Sequence, residues 1–596
     1  MNFFKYLQSV VTTFLNRNKA WVTAVLDTLF VLIALVSLGL VFVKYFLTLN
    51  IDHTNYVNQL TYKLLYLYVG QEFLRVLFPR SIFNHIKKRW FELFIAVICL
   101  GYLLFPFEYI KGLTSSIKWL GVVDVTFFVL GVTQLGVFIK NISMIFDKVR
   151  LVNFLNLTPS QVFIVSFLTP IFTGAALLKL PKATVVDISW VDALFTAASA
   201  VCVTGLTVLS TGDDFTILGQ IIIACLFQIG GLGIMTLTVA FATILSGRMG
   251  VGQNTMMSDV MNIEKIGEVK VLLKRVFLFT ITIEAIGALF MYKVSYGYAG
   301  PVTFDKVYHS IFHAISAFCN AGFSFHNESL TQEPMLFNTI VMTLVVLGGL
   351  GFPVLSNLLD WIKYKFFGRG KKKIVTLHTK IVLLSTLFLI VLGGALIFIF
   401  ERNHLLISMS EFEKLFHSFF LSIASRTAGF NTIATDGLNF STVLVVIILM
   451  WIGGAPMSTA GGIKTVTYFI ALKNIITNLR GDSQMTIFGR AISQKSIDRS
   501  FALITLSFLT IFASYLLIIY FDPTLNKIDL FFETVSAWGT VGLSRGVTPH
   551  MSDASKLTVT VLMIVGRVGM ITFIMSFLTS NKKRRYKYLE ENVIMH

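Results

Sequence analysis

Four stretches of this chain repeat one another around a glycine, and that repetition limits the fold more than any other feature. "ALFTAASAVCVTGLT" (193–207), "SIFHAISAFCNAGFS" (310–324), "SFFLSIASRTAGFN" (418–431) and "AWGTVGLSRG" (537–546) align on Gly205, Gly322, Gly429 and Gly542. Ten residues before each glycine stands a phenylalanine (Phe195, Phe312, Phe419, Phe532), and five before it an alanine (Ala200, Ala317, Ala424, Ala537). The next positions are Leu206, Phe323, Phe430 and Leu543, then Thr207, Ser324, Asn431 and Ser544. A period of about 110 residues in four copies is an internal repeat.

Each copy has a downstream partner: "IGGLGIM" from Ile229, "LGGLGFP" from Leu347, "IGGAPMS" from Ile452 and "VGRVGMI" from Val565. A repeat therefore reads as an apolar helix, a short helix, a glycine turn and a second apolar helix with small residues at mid-depth. The first helices begin near Pro159, Leu272, His378 and Ser500, and the second near Phe215, Pro334, Phe440 and Ser555.

The solvent for this repeat is lipid. The 596 residues are 55 % hydrophobic and 13 % charged, a composition soluble domains do not have. Many windows reach the roughly 20 apolar residues of a spanning helix. The net charge of +18 does not signal nucleic acid: the basic residues cluster in Lys87–Arg89, Lys371–Lys373 and Lys582–Arg585, each just past an apolar run, as cytoplasmic loops do. Cys99, Cys202, Cys225 and Cys319 have no CxxC spacing, so neither a disulfide framework nor a zinc site is expected from them. No cleavable signal is evident after Met1–Ala20.

The short helices, of 11 to 15 residues, cannot span a bilayer. They fit re-entrant helices, because non-helical backbone at that depth is tolerated only where it lines a water-filled cavity. Glycine at the turn admits positive φ, so that successive carbonyls can replace a cation's hydration shell. Helix C-termini aimed at the centre add negative partial charge. The expected ring is Val203, Thr204, Gly205 and Leu206; Cys319, Asn320, Ala321 and Gly322; Thr427, Ala428 and Gly429; and Thr540, Val541 and Gly542, where potassium channels also use Thr-Val-Gly. Asp192, Asp305, Glu411 and Asp529 near the helix starts either draw cations to the mouth or cap the helices.

These motifs ("TGLT", "NAGFS", "SRTAGFNT", "GTVGLS", "GGAPMSTAGGIKT" and "GRVG") resemble the Trk/Ktr/HKT superfamily of potassium transporters over about residues 158 to 596, and "LEENVIMH" looks like its Ktr branch. The resemblance implies an all-α polytopic membrane protein with four M1–P-loop–M2 repeats around one pore, at 158–250, 272–365, 378–480 and 498–580. It further implies a homodimer in the cell membrane, potassium as the substrate, and a cytosolic RCK-type nucleotide-binding ring as regulatory partner. Relatives with serine at the first filter glycine tend to pass sodium, so Gly205 implies a potassium preference. No cofactor is expected in this chain, no metal beyond potassium, and no enzymatic activity, since nucleophile–base sets and metal spacings are missing. The competing readings are the ion-conducting subunit of a P-type potassium pump and a sodium-permeable relative.

Gly453, Gly454, Ala455, Pro456, Ser458, Thr459, Ala460, Gly461, Gly462 and Lys464 cannot continue a straight helix, because proline removes an intrahelical bond and clashes with the preceding turn. The stretch reads as a loop obstructing the pore, with a kinked, glycine-packed helix as the alternative. Arg567 is an intramembrane arginine and so faces a polar interior; the resemblance places it against this loop. Arg426 beside the third turn also matches the family pattern and is expected to brace against Glu533, or simply to be a structural ion pair. His309 and His313, at i and i+4, read as core histidines rather than metal ligands.

Before the repeats lie a cytoplasmic segment (1–20) and four apolar runs near 21–47, 59–79, 91–107 and 118–140, forming a unit over 21–150. They are expected to be a voltage-sensor-like scaffold lacking gating charge, or extra packing helices, with Asp27, Glu72, Arg75 and Asp124 as internal polar contacts. The basic segment 581–596 is expected in the cytoplasm, as is the amino terminus.

Overall fold

A computed structural model describes residues 159–232, 266–296, 304–368 and 375–577, together with isolated helical positions between 36 and 70. The expectations for 1–20, the polar contacts of 21–150, residues 233–250 and 581–596 lie outside the described residues.

The described chain is almost entirely helical: α1 Pro159–Leu178, α2 Trp190–Cys202, α3 Ile217–Gly231, α4 Ile266–Tyr296, α5 Phe304–Cys319, α6 Met335–Leu350, α7 Phe352–Phe367, α8 Leu377–Glu401, α9 Glu411–Ala424, α10 Phe440–Trp451, α11 Thr465–Leu479, α12 Gln494–Phe521, α13 Lys527–Gly539, α14 Asp553–Val568 and α15 Met570–Phe577. A small hairpin, β1 Thr486–Ile487 with β2 Arg490–Ala491, joins α11 to α12.

Two classes of helix divide by burial. The short helices α2, α5, α9 and α13 are the buried ones: Ala193, Phe195, Ala197 and Ala198 are inaccessible, as are Phe532 and Ala537. Their starts are fixed locally. Ser189 accepts from the Asp192 N–H, Asn526 accepts from the Ile528 N–H, and Ser410 with Glu413 makes a reciprocal capping box. The long helices do the opposite. Arg275–Ser295, Leu377–Glu401 and Gln494–Phe521 are each long and apolar enough to cross a membrane. They leave Phe277, Leu278, Leu384, Phe388, Phe508 and Phe512 exposed. An apolar exterior around a core that mixes phenylalanines with small and polar residues suits lipid as the surrounding solvent.

Packing follows a closed cycle. Each long or leading helix lies on the short helix after it (α1 on α2, α4 on α5, α8 on α9, α12 on α13). The helix after each glycine turn then touches the next short helix: α3 meets α5, α6 meets α9, α10 meets α13, and α14 returns to α2. Sequence order is thus spatial order, and the four short helices surround one centre.

The downstream helices are less regular than the sequence suggests. Expected as second apolar helices with small residues at mid-depth, α6 and α14 end at Gly351 (φ +88°) and Gly569 (φ +89°), and the chain bends there by 100° into α7 and 102° into α15. Positive φ is open to glycine at little cost. A Cβ on Gly351 would also lie 2.7 Å from the Pro456 carbonyl oxygen, so that bend is wedged against the 452–464 loop.

Candidate functional site

The four aligned glycines meet. All four have positive φ: +89° at Gly205, +72° at Gly322, +74° at Gly429 and +92° at Gly542. A Cβ placed on Gly205 would lie 2.5 Å from the Ala321 carbonyl oxygen and 3.0 Å from Gly322 Cα. On Gly322 it would lie 2.8 Å from the Ala428 oxygen, and on Gly429 2.6 Å from the Val541 oxygen. On Gly542 it would press on the Thr204 oxygen, 3.1 Å from Gly205 Cα. The ring therefore closes on itself, with the carbonyl before each glycine facing the glycine of the preceding turn. No side chain fits at any of the four without moving backbone.

The turns are built alike. Two residues before each glycine, Val203 (φ 56°), Asn320 (61°), Thr427 (71°) and Thr540 (49°) are left-handed, which is rare for β-branched residues. In three turns the helix ends in a Schellman motif. Thr204 N–H donates to Ser199 O at 2.8 Å, Ala321 N–H to Ser316 O at 2.7 Å and Val541 N–H to Ser536 O at 2.9 Å. The side chains of the same serines complete the turn. Ser199 Oγ accepts from the Gly205 N–H and Ser536 Oγ from the Gly542 N–H, both at 3.1 Å, while Ser316 Oγ donates to Phe323 O at 2.8 Å. These serines were not singled out from the sequence, although the alignment carries them at the sixth position before three of the four glycines. The third turn differs: its helix stops at Ala424, and Ala428 and Gly429 both donate to Ala424 O.

The downstream glycines set how closely the next helix approaches. A Cβ on Gly230, Gly348 or Gly566 would press on the carbonyl of Val201, Phe318 or Trp538, the residue four before each ring glycine. In the third unit Gly453 instead faces Gly461 O inside the loop.

Residues 452–464 leave the helical path between α10 and α11. The loop is closed at its base by Gly453 N–H donating to Ile463 O at 2.9 Å and Thr465 N–H to Gly454 O at 3.0 Å. It is tied to the second unit, with Ala455 N–H donating to Gly349 O at 2.9 Å and Thr459 N–H to Gly348 O at 3.3 Å. It also reaches the ring: Thr459 Oγ1 donates to Asn320 Oδ1 at 3.1 Å, and Gly461 abuts Thr540 Oγ1. Three cationic side chains satisfy its carbonyls. Lys464 Nζ donates to Ala460 O at 2.6 Å, Arg426 Nη2 to Gly453 O at 3.3 Å, and Arg567 to Thr459 O. Arg567 also donates to Gly230 O at 2.6 Å, so it joins the loop to the first unit.

Arg426 does not brace against Glu533. Its donors go to Gly453 O and, at 3.5 Å, Thr386 O, whereas Glu533 accepts from Ser544 Oγ at 2.5 Å, Thr548 Oγ1 at 2.9 Å and the Arg545 N–H at 3.0 Å. The two lie in different layers, one holding the loop and the other the chain that follows Gly542. Sequence reasoning missed Arg545, three residues past Gly542. It donates to Asp529 Oδ1 at 2.5 Å and, at 2.9 Å each, to Thr435 O and Asp436 O of the third unit. Three of the four acids at the helix starts are already paired: Asp192 with Lys556 at 2.8 Å, Asp529 with Arg545, and Glu411 with Lys414 at 3.1 Å. His313 is a core histidine, Nδ1 2.9 Å from His309 O, but His309 faces Glu333 at 3.4 Å.

Comparison with known proteins points the same way. The family described as TrkH, cation transport protein, matches residues 143–586. A Ktr system potassium uptake protein B from Bacillus subtilis is 37 % identical over 73 % of this chain and 96 % of its own length. A potassium/sodium uptake protein, NtpJ, from Enterococcus hirae is 36 % identical over 74 % of this chain and 97 % of its own. The fold matches the crystal structure of the potassium transporter TrkH from Vibrio parahaemolyticus with a TM-score of 0.56 at 20 % identity, covering 76 % of this chain and 90 % of that one.

Proposed function

Because the chain belongs to the TrkH family of cation transport proteins, we propose that it is the pore-forming subunit of a potassium uptake system. The ring of Gly205, Gly322, Gly429 and Gly542 is its selectivity filter, and residues 452–464 with Arg567 are its gate. The observation that carries this reading is the ring's closure: four left-handed glycines, each against the carbonyl of the next turn, the arrangement from which carbonyls can replace an ion's water. Four M1–P-loop–M2 units surround one pore, with the N-termini of the short helices facing outside and both chain termini in the cytoplasm of a cell-membrane protein. Flow is passive, drawing ~2.3 kcal/mol per charge per 100 mV of membrane potential. The relatives' names are those of uptake proteins, which favours this reading over a pump subunit.

The homodimer and the cytosolic RCK-type ring rest on the resemblance. The Enterococcus hirae relative, named for both potassium and sodium, supports a second reading in which this pore also passes sodium; glycine rather than serine at 205 weighs toward potassium. Reconstitution into liposomes without any nucleotide separates the readings. Rubidium uptake driven by a potassium gradient, with much slower sodium and lithium flux, is expected. Equal sodium flux would establish the second reading, and no flux of any alkali cation by folded protein would overturn both.

A further inference from the structure

Away from the ring, on the side of the short-helix N-termini, three donor side chains converge. His309 lies on α5, His326 four residues past Gly322, and Glu333 just before Pro334, the N-cap of α6. His309 Nε2 is 3.4 Å from Glu333 Oε1, and His326 Nε2 is 3.7 Å from the same oxygen. One ligand atom from each of the three lies within 4.8 Å of the other two. A tetrahedral zinc, with bonds of about 2.0–2.2 Å, sets its donors roughly 3.3–3.5 Å apart. The two separations from Glu333 are close to that edge length.

The cluster is held in shape by its surroundings. The His309 ring is packed among His313, Phe325 and Phe337, with centroids 4.2, 5.7 and 6.1 Å away. Glu333 is anchored through its own backbone, its N–H donating to Leu330 O at 3.2 Å and its carbonyl accepting from Asn338 Nδ2 at 3.4 Å. Ser324 Oγ accepts from the His326 N–H at 3.2 Å and fixes the loop beneath that imidazole. The His309 and Glu333 side chains are 14 % and 9 % exposed, whereas that of His326 is 40 % exposed. The site is therefore walled on two sides and open on the third, where a water can supply a fourth ligand.

We propose that His309, His326 and Glu333 form a binding site for a divalent transition cation of the zinc type, separate from the ion path. Two imidazoles and one carboxylate select such a metal over magnesium or calcium, which prefer all-oxygen sites. Its position has a consequence for the ring. A metal here fastens the segment between Gly322 and α6 to the short helix that precedes Gly322. The i, i+4 spacing pairs His309 only with His313, whereas His326 and Glu333 come from the loop between Gly322 and α6.

Equilibrium dialysis of the full-length, metal-stripped protein against zinc tests the site directly. Wild-type protein is expected to bind one more zinc ion per chain than His326→Ala or Glu333→Gln. The variants should lose more than about 10-fold in zinc affinity, since loss of even a supporting contact costs 10–100-fold. Zinc should raise the melting temperature of the wild type and not that of His326→Ala, each compared with its own metal-free protein. Replacing zinc with magnesium should abolish the difference between the proteins. Equal zinc stoichiometry and equal zinc-induced melting shifts in wild type and His326→Ala would overturn the proposal and leave two imidazoles packed beside a carboxylate. Both readouts are independent of ion flux, so a failed transport assay does not bear on them.

Discussion

Ser199 and Ser536, six residues before their ring glycines, accept twice, through a backbone carbonyl that ends the helix and through a hydroxyl that takes up the glycine N–H. Ser199→Ala or Ser536→Ala leaves a buried amide without an acceptor, at a cost of about 1–3 kcal/mol. Melting temperature should fall in both, and potassium/sodium discrimination with it, because the turn geometry is what the hydroxyl maintains. Unchanged melting and selectivity would show that the turn does not need the side chain. Glu533→Gln belongs to the same scale. It keeps the shape but removes a charge-assisted acceptor from Ser544, Thr548 and the Arg545 N–H, so the loss should be of similar size and readable in the same melting assay. The ring glycines could be found from sequence because glycine is the residue that positive φ demands. The left-handed residues two positions earlier could not, since Val203, Asn320, Thr427 and Thr540 share no chemistry that announces such a conformation.

At the scale of elements, the broken path between α10 and α11 follows from its composition, as four glycines and a proline within ten residues leave the chain no helical option. Its partners are a different matter. Arg426 turns to this loop rather than to Glu533, and it lies just past a helix that stops at Ala424 instead of three residues before the glycine. The bends at Gly351 and Gly569 were equally hard to read. "LGGLGFP" and "VGRVGMI" look like helix-packing glycines, and it is the positive φ and the close approach of the loop that show Gly351 to be a bend. The loop account makes a directional prediction. Deleting Pro456–Ala460 removes the segment that carries the Asn320 and Arg567 contacts, so flux should rise several-fold while potassium preference stays set by the glycines. Arg567→Gln removes a cation and donors to Thr459 and Gly230 and should act in the same direction. Liposome flux on folded variants decides this, and equal or lower flux in both would reduce the loop to a structural kink.

For the whole molecule, the feature that matters is cyclic closure: four units in sequence order, the last packed on the first. Lys556 on α14 reaches Asp192 on α2, and Arg545 ties the fourth unit to the third, so the cycle is fastened around its rim as well as at its ring. The periodicity of the sequence made the four units legible, because each copy had to satisfy the same backbone problem with the same small residues. It offered the acids Asp192 and Asp529 at the helix starts but could not reveal the rim, because its cations Lys556 and Arg545 have no counterpart at the aligned positions of the other units. The most direct measurement of the central claim is the potassium/sodium permeability ratio in liposomes for single Gly→Ser variants at 205, 322, 429 and 542. If the four glycines form one filter, every substitution forces a Cβ against a neighbouring carbonyl, and the ratio should fall in all four variants. A well-folded variant at any one of these positions that keeps the wild-type ratio would contradict the four-membered ring.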